Sequence, residues 1–158
     1  MKIKTFLLGF MLIASSIFSS VGAARVENRD TFSIREILTY SMEDELLAKA
    51  EYEKILAMYG EVRPFTSIIE AEKRHIGYLE PLLEKYKVEY PKISEDEVIL
   101  PKSLKEAYEI GVKAEIANIE MYNKFLKNEL PEDVREVFIK LKNASENHLR
   151  AFKRHLSK

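Results

Sequence analysis

Glu72 and His75 stand three residues apart in the stretch FTSIIEAEKRHIGYLE, Phe65 to Glu80, so on a helix they share one face. That face continues through Phe65, Ile68, Leu79, Leu82 and Tyr86, the spacing of a helix that buries hydrocarbon. Three other stretches interrupt an apolar stripe in the same way. Glu45 falls among Leu38, Ser41, Ala48, Tyr52, Ile55 and Tyr59; Glu115 among Leu104, Tyr108, Gly111, Asn118, Tyr122 and Phe125; His148 among Val134, Val137, Leu141, Ala144, Ala151 and His155. Glu43, Glu51 and Lys54 fall largely outside their stripe. Glu45, His75 and Glu115 lie close to the midpoints of their expected helices, with Glu72 one turn away and His148 a little beyond centre, so the five groups are expected to meet at one height.

A charge enclosed in a dry core costs several kcal/mol, while a whole domain is stable by only about 5–15 kcal/mol. Three carboxylates and two imidazoles at one level therefore call for a compensating cation, and hard oxygen donors with imidazole suit iron or manganese, as one or two ions. Helical bundles meet this need with a Glu from each of two helices and a Glu-x-x-His from each of the others. Glu72 and His75 form one such motif. Before His148 stands Ser145, and Glu146 points to another side of the helix, so the set is one acid short. That leaves a single ion, or an asymmetric pair completed by water or an exogenous ligand. Plainer accounts exist for each residue alone: a local Glu–His pair one turn apart, or boundary acids on slightly rotated helices. They do not account for the convergence.

Other polar residues on or near these stripes have plainer expectations. His155 suits the negative end of a helix dipole, and Glu120 a solvated face. Tyr52, Tyr108 and Tyr122 are core aromatics whose hydroxyls could hydrogen-bond the carboxylates or take part in redox chemistry.

The elements that position these residues are legible from their ends. Ser33 with Glu36 forms a capping-box pattern and Gly60 a stop, predicting a helix over 34–59. Pro64 opens a second helix reaching about Tyr86, with Pro81 expected to kink it or end its regular part. Ser103 with Glu106 starts a third, to about Asn128, and Pro131 a fourth, to about Leu156. Short links, GEVR and ELP, join the first pair and the last pair. The segment from Lys87 to Lys102 could span roughly 50 Å when extended, more than the roughly 33 Å of such a helix. The fold expected over residues 33–157 is therefore all-α: a ferritin-like antiparallel four-helix bundle with a long crossover between helices 2 and 3.

Composition agrees with one compact domain: 46% of the 158 residues are hydrophobic and 32% charged, enough apolar material for a core. The first residues have Lys2 and Lys4, an apolar run from Phe6 to Phe18, and small residues at Gly22, Ala23 and Ala24. This predicts a secretory signal peptide over 1–23, cleaved after Ala23 or Ala24, and hence a secreted or periplasmic protein with no membrane contact afterwards. Its loss takes the formal charge from -1 to -3, with the two signs interspersed, so no nucleic-acid partner is expected. There is no cysteine, which excludes disulfides, thiol catalysis and Cys-ligated iron–sulfur centres. Charged outer helix faces suit a monomer or a homodimer.

The segments MEDELLAKAEY (Met42 to Tyr52), EAEKRHIGYLEPLLEKY (Glu70 to Tyr86), GVKAEIANIEMY (Gly111 to Tyr122) and SENHLRAF (Ser145 to Phe152) resemble an uncharacterised prokaryotic family of ferritin-like proteins known as a domain of unknown function. The resemblance covers essentially all of the chain after the leader. It implies the ferritin-like fold and a metal centre at Glu45, Glu72, His75, Glu115 and His148. It also implies that Ser145 is a property of the family; Arg150, in the same segment, faces away from His148 by roughly 200° on a helix and is expected to form an ordinary surface pair. The function expected is an exported metal-binding protein whose iron or manganese reacts with dioxygen or peroxide or oxidises Fe(II). The alternatives are a non-catalytic extracytoplasmic metal buffer or sensor and a structural or interaction bundle.

Overall fold

The computed structural model describes residues 25, 26, 28–94, 98 and 100–157. The expected leader at 1–23 lies outside the described residues. Four helices form the bundle, α1 (Ile34–Tyr59), α2 (Phe65–Lys85), α3 (Leu104–Phe125) and α4 (Glu132–Leu156), and no strand occurs among the described residues.

The caps act as the sequence predicts. Glu36 N–H donates to Ser33 Oγ at 3.3 Å and Ser33 N–H donates to Glu36 Oε2 at 2.9 Å, satisfying donors that a helix start leaves open. Gly60 ends α1 at φ 77, a region that side chains disfavour. Glu106 N–H donates to Ser103 Oγ at 3.1 Å at the start of α3. Of the two outcomes expected at Pro81, an end to the regular helix does not occur: α2 runs through it to Lys85, and Pro81 and Gly77, whose carbonyl loses its donor, are both exposed, so water can reach that carbonyl and the ring stays at the surface. One boundary is corrected. α3 ends at Phe125 rather than near Asn128, and Asn128 N–H closes a turn onto Phe125 O at 3.0 Å.

The helices pack as two hairpins, α1 with α2 and α3 with α4; across the hairpins α1 lies beside α3 and α2 beside α4. Phe32, just before α1, meets Phe125 at the end of α3 edge-on at 5.2 Å. Tyr86, just past α2, donates its hydroxyl to Asp133 in the first turn of α4 at 2.8 Å. Every adjacent pair is thus antiparallel. That arrangement requires the α2–α3 connection to travel the length of the bundle, and it does so along α1. Arg35 donates to Lys87 O at 3.3 Å; Tyr90 and Lys92 share a surface depression with Thr39 and Glu43; Ile93 and Val98 lie over Ala50 and Ala57; Tyr59 donates to Pro101 O at 3.3 Å. The contacts climb α1 from its first turn to its last.

The apolar core is divided in two. One cluster, including Leu38, Met42, Leu79, Phe125, Val134 and Phe138, fills the end of the bundle where α1 begins. A second, with Tyr52, Ile55, Phe65, Ile68, Ala107 and Phe152, fills the other end. In the second cluster a Cβ on Gly111 would stand 2.7 Å from the Phe152 ring, so glycine there lets a phenyl ring reach the α3 backbone. Between the two clusters lie the buried polar residues.

Candidate metal centre

One turn at mid-height of each helix supplies that polar layer. Glu45 from α1, Glu72 and His75 from α2, Glu115 from α3, and Ser145 and His148 from α4 are all buried, none more than 8% exposed. The structure brings together all five residues that the sequence singles out. His75 Nδ1 lies 3.0 Å from Glu45 Oε2 and 2.9 Å from Glu72 Oε2. His148 Nδ1 lies 3.2 Å from Glu115 Oε1 and 3.3 Å from Glu72 Oε1. Glu72 therefore turns one oxygen to each imidazole, and the two rings face one another at 5.7 Å, inclined by 25°. Two trios result, Glu45–Glu72–His75 and Glu72–Glu115–His148, each with ligand atoms within 4.8 Å of one another.

Beyond the trios, Tyr122 donates its hydroxyl to Glu45 Oε1 at 2.8 Å, across from α3 to α1. Both Glu45 oxygens are thereby engaged. Glu115 is less complete: among the described residues its Oε2 is buried without a hydrogen-bond partner. A buried carboxylate oxygen in that condition is costly unless a cation or a water meets it.

Protons hold the cluster together electrostatically. Burial alone would lower the two imidazoles, but hydrogen bonds donated to Glu45 and Glu72 carry His75 up to about 10, and those donated to Glu115 and Glu72 carry His148 up to about 10. Burial would raise Glu72, yet its hydrogen bonds to His148 and His75 hold it below the usual carboxylate range. Burial, reinforced by the charge of Glu72, pushes Glu45 up to about 8. Burial also raises Glu115, against the hydrogen bond to His148 and a smaller pull from Ser145. A cation seated on these oxygens and Nδ1 atoms would take over the role of the imidazole protons and release them.

The surroundings of the site depart from expectation in two places. Glu51, expected outside the α1 stripe, is only 9% exposed, and Asp44 beside Glu45 is also buried. α1 is packed by α2, α3 and the crossover, so it buries more than a narrow 3-4 stripe. On α4 the buried set is Val134, Phe138, Leu141, Ser145, His148 and Phe152, whereas Val137, Ala144, Ala151 and His155 are half-buried. Both sets have 3-4 spacing and share three members; the larger Phe138 and Phe152 take the core in place of Val137 and Ala151. The consequence for the site is that Ser145 itself points inward. The size of those two phenylalanines was the available signal.

The remaining residues behave as ordinary structural groups. His155 lies near its own helix end with Nδ1 2.9 Å from Ala151 O, Glu120 is exposed, and Arg150 pairs with Asn147 at the surface. Tyr108 donates to Arg63 O at 3.0 Å, and Tyr52 packs between Phe65 and Phe152. Of the three tyrosines, Tyr122 alone has a hydrogen bond to a trio carboxylate among the described residues.

Residues 34–158 match the family described as "Uncharacterized protein domain (DUF2202)". The chain belongs to this family. Among DUF2202-like sequences it is 28% identical over 142 residues to the uncharacterized protein MJ0754 of Methanocaldococcus jannaschii, spanning 78% of this chain and 75% of that one. The crystal structure of hypothetical protein MJ0754 superimposes with a TM-score of 0.69 at 27% identity, covering 80% of this chain and 82% of that one. The likeness extends over most of both chains and supports the four-helix arrangement found for this DUF2202 protein.

Proposed function

We propose that this DUF2202 protein is an exported, ferritin-like metal-binding protein. It would hold iron or manganese between its four helices and use it in redox chemistry with dioxygen or peroxide, or in oxidising Fe(II). The observation that carries this reading is the posture of Glu72, whose two oxygens face two different imidazoles 2.9 and 3.3 Å away. A carboxylate so placed can bridge two ions, one held with Glu45 and His75, the other with Glu115 and His148. The donor set fits: three oxygen-donor acids and two imidazoles suit iron or manganese, and Glu115 Oε2 is a buried acceptor without a hydrogen-bond partner among the described residues.

A bound redox metal supplies the change of oxidation state. The chain's own part is to hold and to orient. Tyr122 fixes the rotamer of Glu45, His75 and His148 give up the Nδ1 proton when they become ligands, and the two apolar clusters keep bulk water from the centre. Ser145 leaves open the position that a second Glu-x-x-His acid would take, and there an external ligand or oxidant can enter. The absence of cysteine favours a second reading, binding without turnover, because reducing equivalents cannot come from a Cys-ligated iron centre of the chain itself. Elemental analysis of protein made in iron- and manganese-replete medium, followed by dioxygen and peroxide uptake assays, tests both. About two ions per chain with rapid oxidant consumption supports the redox reading; stable loading without consumption selects the buffer. Wild-type protein without metal, unaltered in metal content or stability by Glu72→Ala and His148→Ala, overturns both.

A further inference from the structure

The two trios share one acid, and that sharing leaves the centre short of negative charge. With neutral imidazoles as ligands, Glu45, Glu72 and Glu115 bring three negative charges to a layer in which none of them is more than 4% exposed. Two divalent ions bring four positive ones. A net positive charge in surroundings this dry is costly, and it draws in an anion if space and donors exist. Neighbouring Glu51 offers little, because burial and then the charge of Asp44 hold it up to about 8, so it remains protonated at neutral pH; the charge of Asp44, on the flank of α1, is close enough for Glu51 to feel but supplies no ligand to either trio.

The position for an anion is on α4. Ser145 is 5% exposed and one turn from His148 on the inward face. There a glutamate would complete the second Glu-x-x-His, and a serine keeps its short side chain back against the helix. It replaces a carboxylate with a hydroxyl, which can donate a hydrogen bond. Across from it Glu115 interacts with Ser145, and its Oε2, buried without a hydrogen-bond partner among the described residues, is an acceptor suited to an ion, so an ion on this side would face the Ser145 hydroxyl where a fourth carboxylate is absent. A carboxylate-shaped anion would supply beside Ser145 the charge and the oxygen donors that the absent glutamate would have brought. We propose that the loaded centre takes up a small monovalent oxyanion of carboxylate shape, a formate, acetate or bicarbonate, beside Ser145, as an exchangeable substitute for the absent fourth acid. The proposal rests on the two-ion reading above. It makes the centre responsive to a small metabolite-like anion, which the incoming oxidant must displace.

Calorimetric titration of the full chain with Mn(II), in a non-coordinating buffer with and without added formate, tests it. The second ion is expected to bind at least about tenfold more tightly with formate, equivalent to about 1.4 kcal/mol. Ser145→Glu should bind both ions with no response to formate. If that variant does not fold, as circular dichroism would show, Ser145→Ala should retain both ions and lose most of the formate response. A direct readout is the broadening of the 13C formate resonance by the Mn(II)-loaded wild type, absent in the Ser145→Glu protein or, if it does not fold, reduced in Ser145→Ala. Equal affinity for the second ion with and without formate, one ion only under both conditions, or a formate response that Ser145→Ala leaves intact would overturn the proposal while leaving metal binding standing. A wild type that binds no ion fails the underlying reading instead.

Discussion

Around His75 each inward carboxylate oxygen has a partner: Glu45 Oε2 and Glu72 Oε2 meet the imidazole, and Glu45 Oε1 accepts from Tyr122. Around His148 the plan is repeated with less support. Glu115 Oε1 meets the ring, its Oε2 has no hydrogen-bond partner among the described residues, and the α4 position facing it carries a serine. The two halves thus have the same ligand types, two acids and an imidazole each, but differ in what holds those ligands still. Ligand orientation by outlying hydrogen bonds commonly changes metal affinity by about 10–100-fold, so the comparison teaches that the halves are unequal before any ion arrives. On the two-ion reading proposed above, the Glu45 half would be the preformed cradle and the Glu115 half the exchangeable one.

The largest effect belongs to the residue the halves share. Glu72→Ala should abolish loading of both, lowering metal affinity by at least about a hundredfold, as measured by elemental analysis after dialysis. A variant that retains one tightly held ion would show that Glu72 does not bridge. Next come the two imidazoles taken separately. His75→Ala and His148→Ala should each keep one ion, and the ion kept by His148→Ala should be the tighter by about tenfold, since it lies in the supported half. Equal affinities would erase the asymmetry.

A finer probe is Tyr122→Phe, which removes one hydrogen bond and no ligand. Stoichiometry should be unchanged, with the first ion weakened by roughly three- to tenfold and the second unaffected in competitive titration. The smallest effect lies outside both halves. Burial, and then the charge of Asp44, raises Glu51 to about 8. A carboxyl whose folded value is raised contributes stability fully present below its unfolded value, near 4.5, and lost as pH rises through about 8. Glu51→Gln should therefore stabilise the protein at pH 8 by at least about 1 kcal/mol and change little at pH 4. Urea denaturation at the two values reads this out, and metal affinity should not move.

Much of the fold was legible because it depends on local chemistry. Ser33, Gly60, Ser103 and Pro131 mark helix ends by satisfying or lacking backbone groups, and these operate in any context. The length of the Lys87–Lys102 segment was enough to imply a crossover, although that it would lie along α1 follows from packing alone. The five-residue cluster was legible for a different reason: a charged group on an apolar stripe is costly wherever the stripe faces. What escaped was the exact phase of a stripe and the breadth of burial. On α4 two registers share Val134, Leu141 and His148, and side-chain volume at Phe138 and Phe152 chooses between them. On α1 the burial of Asp44 and Glu51 depends on how many elements surround the helix, which spacing along one segment does not encode. At Pro81 the local rule offered a kink or an end, and the helix continues because the lost bond falls where water can meet it.

The antiparallel contact of every neighbouring pair has a further consequence for the field at the centre. α1 and α4 run one way and α2 and α3 the other, so each end of the bundle gathers two helix starts and two helix ends, whose partial charges of about half a unit alternate in sign around the square. Halfway along, those contributions cancel. The backbone then imposes almost no preference for either sign of charge, and the polar layer answers to its own side chains and to whatever ion lies between them.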